Sequence, residues 1–395
     1  MRKNYWIILA LGFCLGLLLN TSGCDIRIPG WHRAKYERTV QQQVPLAPGS
    51  NLVAKTKLGF ITTTGADVAD CNVIAIISAS APTEQEAAEI AKQVAIKLEP
   101  VDKTLTVRAE KPHLKRNRSI GVSFKITVPR QTNIDCASSH GSIELMDLNG
   151  NVKGKSSSGS AKGYNIQGST ELETSYGSVT GKNISGDNIK LKSSSGSITA
   201  ENIQGSTQLE TSYGSITCKD ISNGDIKLKT SSGKITLSKV SVGDCDVRTS
   251  YGSISADELL ADSIKIESGS GGIKVIKASA DTANVSTSYG RITCQQIKFT
   301  DLTVKSGSGN IDVTFSESAP AEITANVETS YGSIDFITPP SFSGEVSLST
   351  SYGSIKTNLP ITITGEVSKK KLAGRIGEGK GKLYLRTSSG SIKIK

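Results

Sequence analysis

From about residue 136 onward, apolar residues alternate with polar ones in two short runs around each of a series of glycines. These are Gly141, Gly159, Gly177, Gly196, Gly214, Gly233, Gly252, Gly271, Gly290, Gly309, Gly332, Gly353 and Gly390. Two places after the glycine stands Ile or Val in twelve of thirteen copies, Ala161 being the exception. Five places before it stand Leu172, Leu191, Leu209, Leu228, Val247, Ile266, Val285, Val304, Val327, Leu348 and Leu385, and only Cys136 and Gly154 break the column. Alternation of this kind predicts two strands per repeat, one entering the glycine and one leaving it. The glycine is read as giving the backbone freedom to turn between them. Three places before it all thirteen copies carry Ser or Thr, and a second turn is marked by Gly168, Gly186, Gly205, Gly224 and Gly243.

Nine of the twelve gaps are 18 or 19 residues. A repeat so short cannot bury a core alone and must stack on its neighbours, which predicts a solenoid. Tyrosine precedes the glycine in alternate copies (Tyr176, Tyr213, Tyr251, Tyr289), with Ser158, Ser195, Ser232, Ser270 and Ser308 between. That pattern alone would allow coils of 38 residues. Charge favours 19. Four places before the glycine the series runs Lys155, Glu173, Lys192, Glu210, Lys229, and six places before it runs Lys153, Glu171, Lys190. With 19 residues per coil, opposite charges face each other at about 4.8 Å; with 38, like charges would stack. Thirteen such coils predict a rod of about 60 Å. Lys393 and Lys395 on the final strand are expected to discourage edge-to-edge association.

The N-terminal third is organised differently. Arg2 and Lys3 precede an apolar run from Trp6 to Leu19, too short to span a bilayer, so residues 1–23 read as a secretory signal. Residues 24–50, with Pro29, Pro45, Pro48 and three glutamines, read as a tether. Residues 51–135 read as a β/α cap on the open end of the solenoid, and residues 136–395 as the solenoid itself. In the cap, Leu52–Thr64, Asn72–Ser78, Thr104–Ala109 and Ile120–Val128 read as strands, and residues 57–62 as a worn copy of the repeat. Thr83-Glu84-Gln85-Glu86 forms a capping box, and Ala87, Ala88, Ile90, Ala91, Val94, Ala95 and Leu98 follow at helical spacing.

Two resemblances follow. Thr21-Ser22-Gly23-Cys24 resembles the lipobox of bacterial lipoproteins, which implies lipidation of Cys24 and a durable membrane anchor. A cap followed by Gly-Ser-Ile repeats, with Val128-Pro129 at the junction, resembles the bacterial putative-adhesin family of β-strand-repeat envelope lipoproteins, a domain-of-unknown-function family, over residues 36–395. The resemblance implies an all-β, right-handed parallel β-helix. It brings no catalytic residues.

Composition changes this picture little. The net charge is +10, nearer +8 once Arg2 and Lys3 are removed, which suits a polyanionic neighbour. Cys71, Cys136, Cys218, Cys245 and Cys294 show no CxxC spacing, so neither zinc nor a disulfide framework is signalled, and a Cys71–Cys136 bridge is the one pairing considered. His32, His113 and His140 fall in the tether, the cap and the first repeat. Residues 150–156 approach a phosphate-binding loop but are one residue short between the glycines. Asp262, Glu267, Asp281 and Asp301 occupy adjacent coils and are the one carboxylate grouping of the sort a glycosidase uses. An outward row of Thr180, Thr199, Thr217, Thr236 and Thr293 is interrupted by Ser255 and Lys274.

The sequence is therefore expected to specify no catalytic, cofactor or metal site. It reads as a non-catalytic, lipid-anchored cell-envelope protein, an adhesin-like or scaffold module displaying a repeated surface for multivalent binding. A glycan-active β-helix enzyme and an envelope-stress or assembly component are the alternatives. Tyr176, Tyr213, Tyr251, Tyr289, Tyr331 and Tyr352 are the candidates for facing a ligand, although their place beside the turn also suits packing against the coil edge. Lys111, Lys115, Arg116 and Arg118, with His113, form a basic loop suited to an anionic surface. The expected partners are the membrane through the anchor and a cell-surface glycan or an envelope protein, with no nucleic acid.

Overall fold

The computed structural model describes residues 33–395. Residues 1–23, expected to be a secretory signal, Cys24 and His32 lie outside the described residues. The body is a β-solenoid of about 11 turns with coils of about 19 residues. Between glycine turns a coil runs either as two strands, as in Ala161–Gln167 and Thr170–Thr174, or as one long strand, as in Ile254–Ser268, and each pairs in parallel with the coil before, the registers stepping by one repeat. Glu171 lies opposite Lys190 and Glu173 opposite Lys192. The charge alternation read from the sequence is thus realised: Lys153–Glu171 is 2.9 Å, Lys155–Glu173 2.7 Å and Lys192–Glu210 3.2 Å. The hydrogen bond from Lys153 and the neighbouring Lys155 charge hold the Glu171 carboxyl down at about 2.

The turn glycines are required by contact. A Cβ on Gly252 would stand 1.8 Å from the carbonyl oxygen of Gly233, and one on Gly233 1.8 Å from that of Gly214. The glycines stack on one another, leaving no space for a side chain. This replaces the expectation that they serve backbone freedom. The Ser or Thr three places earlier locks each turn. Thr230 Oγ1 accepts from Gly233 N (3.1 Å) and donates to Gly214 O (3.1 Å) in the coil before. Ser156, Ser193, Ser268 and Thr387 repeat both bonds. Thr230→Val keeps the shape and removes both bonds at a buried site. We expect a loss of about 1–3 kcal/mol, read from urea unfolding, whereas Ser215→Ala on the exposed side of the turn stays within about 0.5 kcal/mol.

At another corner the residue six after the glycine adopts positive φ: Asp147 58°, Asn165 55°, Asn183 54°, Asn202 54° and Asp220 54°. Asn and Asp tolerate that region better than most residues. The amides also bond along the stack, Asn165 to Asp147, Asn183 to Asn165 and Asn202 to Asn183, each at 2.9 Å.

The cap departs from the sequence expectation in two places. Composition predicts a tether over residues 24–50, but Ala34–Pro45 is a strand, β1. Its alternate residues are half-buried and it pairs antiparallel along its whole length with β4 (Asp70–Ala81). Polar Gln42 on the inward side is used, its Nε2 donating to Ile96 O. The helix α1 (Glu84–Lys92) starts at the predicted cap, Glu86 N donating to Thr83 Oγ1. It ends before Val94. Ala95–Val101 instead forms β5, paired antiparallel with β6 (Thr104–Glu110). Arg38 of β1 satisfies the freed helix carbonyls, its Nη1 donating to Ala91 O and Lys92 O at 3.2 Å.

Coil order does not follow chain order at either end. β2 (Asn51–Thr56) and β3 (Ile61–Ala66) form one coil around Gly59, so the worn repeat is a true coil. The chain then leaves for β4, α1, β5 and β6 and returns through β7 (Ser119–Pro129). β6 and β7 pair on the outer side of β2 and β3, while β8 (Asn133–Ser138) and β9 (Ile143–Leu148) pair on their inner side. At the other end, Gly381–Thr387 and Ile392–Ile394 insert between the coil of Thr324–Thr329 and Ile334–Ile337 and the coil of Gly344–Thr350 and Ile355–Thr357. The C-terminal strand is therefore paired on both sides, and the expected protective role of Lys393 and Lys395 at a free edge is corrected. An antiparallel pair, Lys371–Ile376 with Thr362–Val367, extends the sheet beyond Gly344–Thr350.

Cys71, Cys136, Cys218, Cys245 and Cys294 are buried free thiols, so the Cys71–Cys136 bridge does not form. Burial pushes Cys71, Cys136, Cys245 and Cys294 up to about 12, and Cys218 in the same direction. Thiolate is the reactive form. Iodoacetamide at neutral pH is expected to label none of the five in the folded protein and all five after unfolding, as read by mass spectrometry. Labelling of any one in the folded state would reveal local opening of its coil.

Candidate ligand-binding edge

The turns that carry the stacked glycines form one long edge of the rod. The residue before each glycine points away from it, because the glycine and the Ser or Thr lock occupy the inside. Tyr176, Tyr213, Tyr251, Tyr289 and Tyr331 are 70–72% exposed and Tyr352 is 82% exposed. The alternative, packing against the coil edge, is not what the chain adopts. Their backbones are fixed even so: Tyr176 N donates to Ser157 O (3.0 Å), Tyr213 N to Ser194 O (3.2 Å) and Tyr251 N to Ser231 O (2.9 Å).

In the sequence the alternation of tyrosine and serine fails at the end, since Tyr331 and Tyr352 fall in consecutive repeats. The structure restores it. Ser389 N donates to Ser330 O, and Tyr352 N donates to Ser388 O, each at 2.9 Å. The inserted coil thus places Ser389 between the two tyrosines. His140 extends the row at the cap end, two coils before Tyr176, exposed and in the same place before its glycine. It was missed in the sequence reading, although its position before Gly141 was the available signal. Rings therefore recur every second coil, about 10 Å apart at the usual strand spacing. Lys370 Nζ lies 5.9 Å from the Tyr352 ring centroid at the far end. In all thirteen turns, the positions from two before the glycine to one after it contain no Asp or Glu.

The loop between β6 and β7 is the equivalent turn of the outermost coil, so the basic residues lie on the cap end of the same edge. Lys111, His113, Lys115 and Arg116 are exposed. Arg118 is not free: it is held by Glu86 of α1 and donates to Arg116 O at 2.7 Å. Although Lys111 is exposed as a whole, its Nζ donates to Ile120 O at 3.5 Å, and partial loss of water there, with the nearby Lys57 charge, lowers the ammonium from its ordinary value.

The other candidates are not brought together. Asp262, Asp281 and Asp301 are exposed near a corner, whereas Glu267 lies on a flat face within 3.4 Å of Arg248 and 3.2 Å of Lys265. His113 and His140 sit on separate turns. Thr180, Thr199, Thr217 and Thr236 do stack in register, as a single column leading to Ser255 and Lys274. Among the described residues no group of three or more His, Cys, Asp or Glu is placed to hold a metal ion. A concavity of about 760 Å³ lies on a flat face near the cap and includes Asn51, Asn133, Asn151, Lys153, Glu171 and Lys190. Its charges satisfy one another, Glu171 lying 2.9 Å from Lys153 and 3.7 Å from Lys190. No helix among the described residues is long and apolar enough to cross a membrane.

Residues 223–395 match the family described as Toastrack DUF4097. Among solved structures, the chain is similar to a putative cell adhesion protein from Clostridium sporogenes, at 11% identity over 91% of this chain and 99% of that one, with a TM-score of 0.16. A putative adhesin from Bacteroides fragilis aligns at 12% identity over 91% and 97%, with a TM-score of 0.18. A putative lipid binding protein from Parabacteroides distasonis aligns at 12% identity over 90% and 97%, with a TM-score of 0.17. No curated protein matches the sequence.

Proposed function

We propose that this adhesin-like Toastrack solenoid is a non-catalytic, lipid-anchored rod of the bacterial cell envelope that binds through its tyrosine edge. One observation carries the reading: six tyrosines project from one edge, each at least 70% exposed, on turns whose backbone is locked. Exposed rings normally cost solubility; a regular row of them on a rigid support favours a ligand that covers them. Repetition turns weak single contacts into durable attachment. Of the four carboxylates that suggest a glycosidase grouping, Glu267 is paired with Arg248 and Lys265 on a flat face, apart from Asp262, Asp281 and Asp301 near a corner. That favours binding over chemistry.

Anchoring at Cys24 fits the position of β1. With β1 starting at Ala34, nine residues lie between the anchor and the strand, a reach of at most about 35 Å. The cap end would then sit close to the membrane, with Lys111, Lys115 and Arg116 near anionic headgroups and the tyrosine row leading away from it. The test has two parts. Cells fed labelled palmitate should yield labelled protein, and Cys24→Ala should release it from membranes. The purified protein should bind isolated envelopes, and the Tyr213→Ala, Tyr251→Ala, Tyr289→Ala triple variant should not. Envelope binding unchanged in the triple variant, or release of reducing ends from envelope glycans, would sink the proposal.

A further inference from the structure

We infer that the tyrosine edge binds a linear, β-linked polysaccharide with a two-sugar repeat, laid lengthwise along the rod with one repeat per two coils. This rests on the edge being a binding surface, and it names the ligand class. Three observations lead to it. The first is period. Rings stand on every second coil, about 10 Å apart. An extended β-linked glycan turns alternate sugars over, so it offers the same face once per two sugars, at a step close to this one. A membrane surface has no such repeat, and a peptide strand repeats at a much shorter step.

The second observation is what lies between the rings. Ser158, Ser195, Ser232, Ser270, Ser308 and Ser389 occupy the intervening coils. Small side chains there leave room for the sugar that does not stack, and their hydroxyls can both donate and accept toward it. A row of rings on every coil would block that sugar. The third is charge. The turns carry no carboxylate, while Lys234 and Lys370 are exposed along the row. The edge therefore accepts neutral and carboxylated sugars alike, which is why the test uses both.

The coil exchange at the C-terminal end bears on the same point. Stacked in chain order, the coils would put Tyr331 and Tyr352 on adjacent turns. The exchange places Ser389 between them and keeps the two-coil step to the end of the rod. Rigidity matters too, because a ligand meeting pre-positioned rings loses less entropy per contact.

The test is calorimetric titration of the purified full chain with size-defined β-1,4-glucan oligosaccharides and with hyaluronan oligosaccharides. Affinity should rise in two-sugar increments for at least one series. Tyr251→Ala should weaken binding roughly five-fold, and the Tyr213, Tyr251, Tyr289 triple alanine variant roughly 100-fold. Tyr251→Phe should bind as the parent does. The decisive variant combines Tyr251→Ser with Ser270→Tyr. It keeps the number of rings and breaks their spacing, and it should bind no better than Tyr251→Ala. The side chains are exposed, so each variant should keep its unfolding midpoint.

Parental affinity in the exchanged variant, affinity independent of chain length, or binding to phosphatidylglycerol vesicles but to neither glycan would overturn the inference. If the alanine triple variant loses envelope binding while neither glycan series binds, the edge stands as a binding surface and the ligand class is wrong.

Discussion

Gly252→Ala is expected to destabilise the protein by at least about 3 kcal/mol, read as a lowered urea or thermal midpoint. Alanine is usually a mild replacement for glycine, and where the backbone has ordinary dihedrals it often stabilises. Here the added methyl carbon would lie 1.8 Å from Gly233 O and 3.0 Å from Thr249 Oγ1. Neither neighbour can yield cheaply. Gly233 O is backbone, and the Thr249 hydroxyl accepts from Gly252 N at 3.1 Å. Relief requires parting two coils, which breaks the parallel ladder on both sides of the turn. The effect should spread, because each coil is held mainly by its neighbours. Gly49→Ala gives the contrast: nothing lies within 4 Å of its Cβ position, so the loss there should be confined to the strain of its φ of 79°. A near-neutral Gly252→Ala would show that the coils are not in close contact at the edge.

Removing residues 381–395 should abolish soluble expression. If coils stacked in chain order, the deletion would take away only the last one and uncover a single coil face. In this fold the segment is internal. Leu385 lies between Val327 and Leu348, and Ile392 between Ile334 and Ile355. Deletion leaves two unpaired strand edges and two uncovered apolar columns facing a gap, which is a template for aggregation. A gentler version avoids total loss: Leu385→Ala, at 1% exposure, should cost about 2–5 kcal/mol. A matched truncation variant that is soluble and merely less stable would refute the exchanged order.

The same exchange explains why the end of the rod defeats a reading in chain order. Val327, Leu348 and Leu385 all fill the apolar place five before the glycine, so Leu348 and Leu385 are equally acceptable above Val327. Hydrophobic burial does not separate the two stackings. Side-chain partners on the outer columns do. The inserted order sets Arg386 beside Glu328, where chain order would set Ser349, and it continues the alternation of Lys305 and Glu328. At the cap end, β1 was masked by its composition. Glutamines and prolines resemble a linker, yet alternate residues of Ala34–Pro45 are half-buried because a partner strand, β4, lies along its whole length. The end of α1 was hidden likewise: Val94, Ala95 and Leu98 continue a helical spacing, and only pairing with β6 draws Ala95–Val101 into a strand.

By itself the sequence determined the solenoid, the 19-residue coil and the worn repeat at Gly59. Those follow from local periodicity and from the sign of charges on adjacent repeats, and both can be read without knowing the ends. The exposure of the tyrosines, the contact role of the glycines and the order of the terminal coils were decided only in three dimensions. Near-identical repeats leave the inward columns degenerate. The choice among stackings then falls to side chains far apart in the chain, which meet only once the coils are assembled.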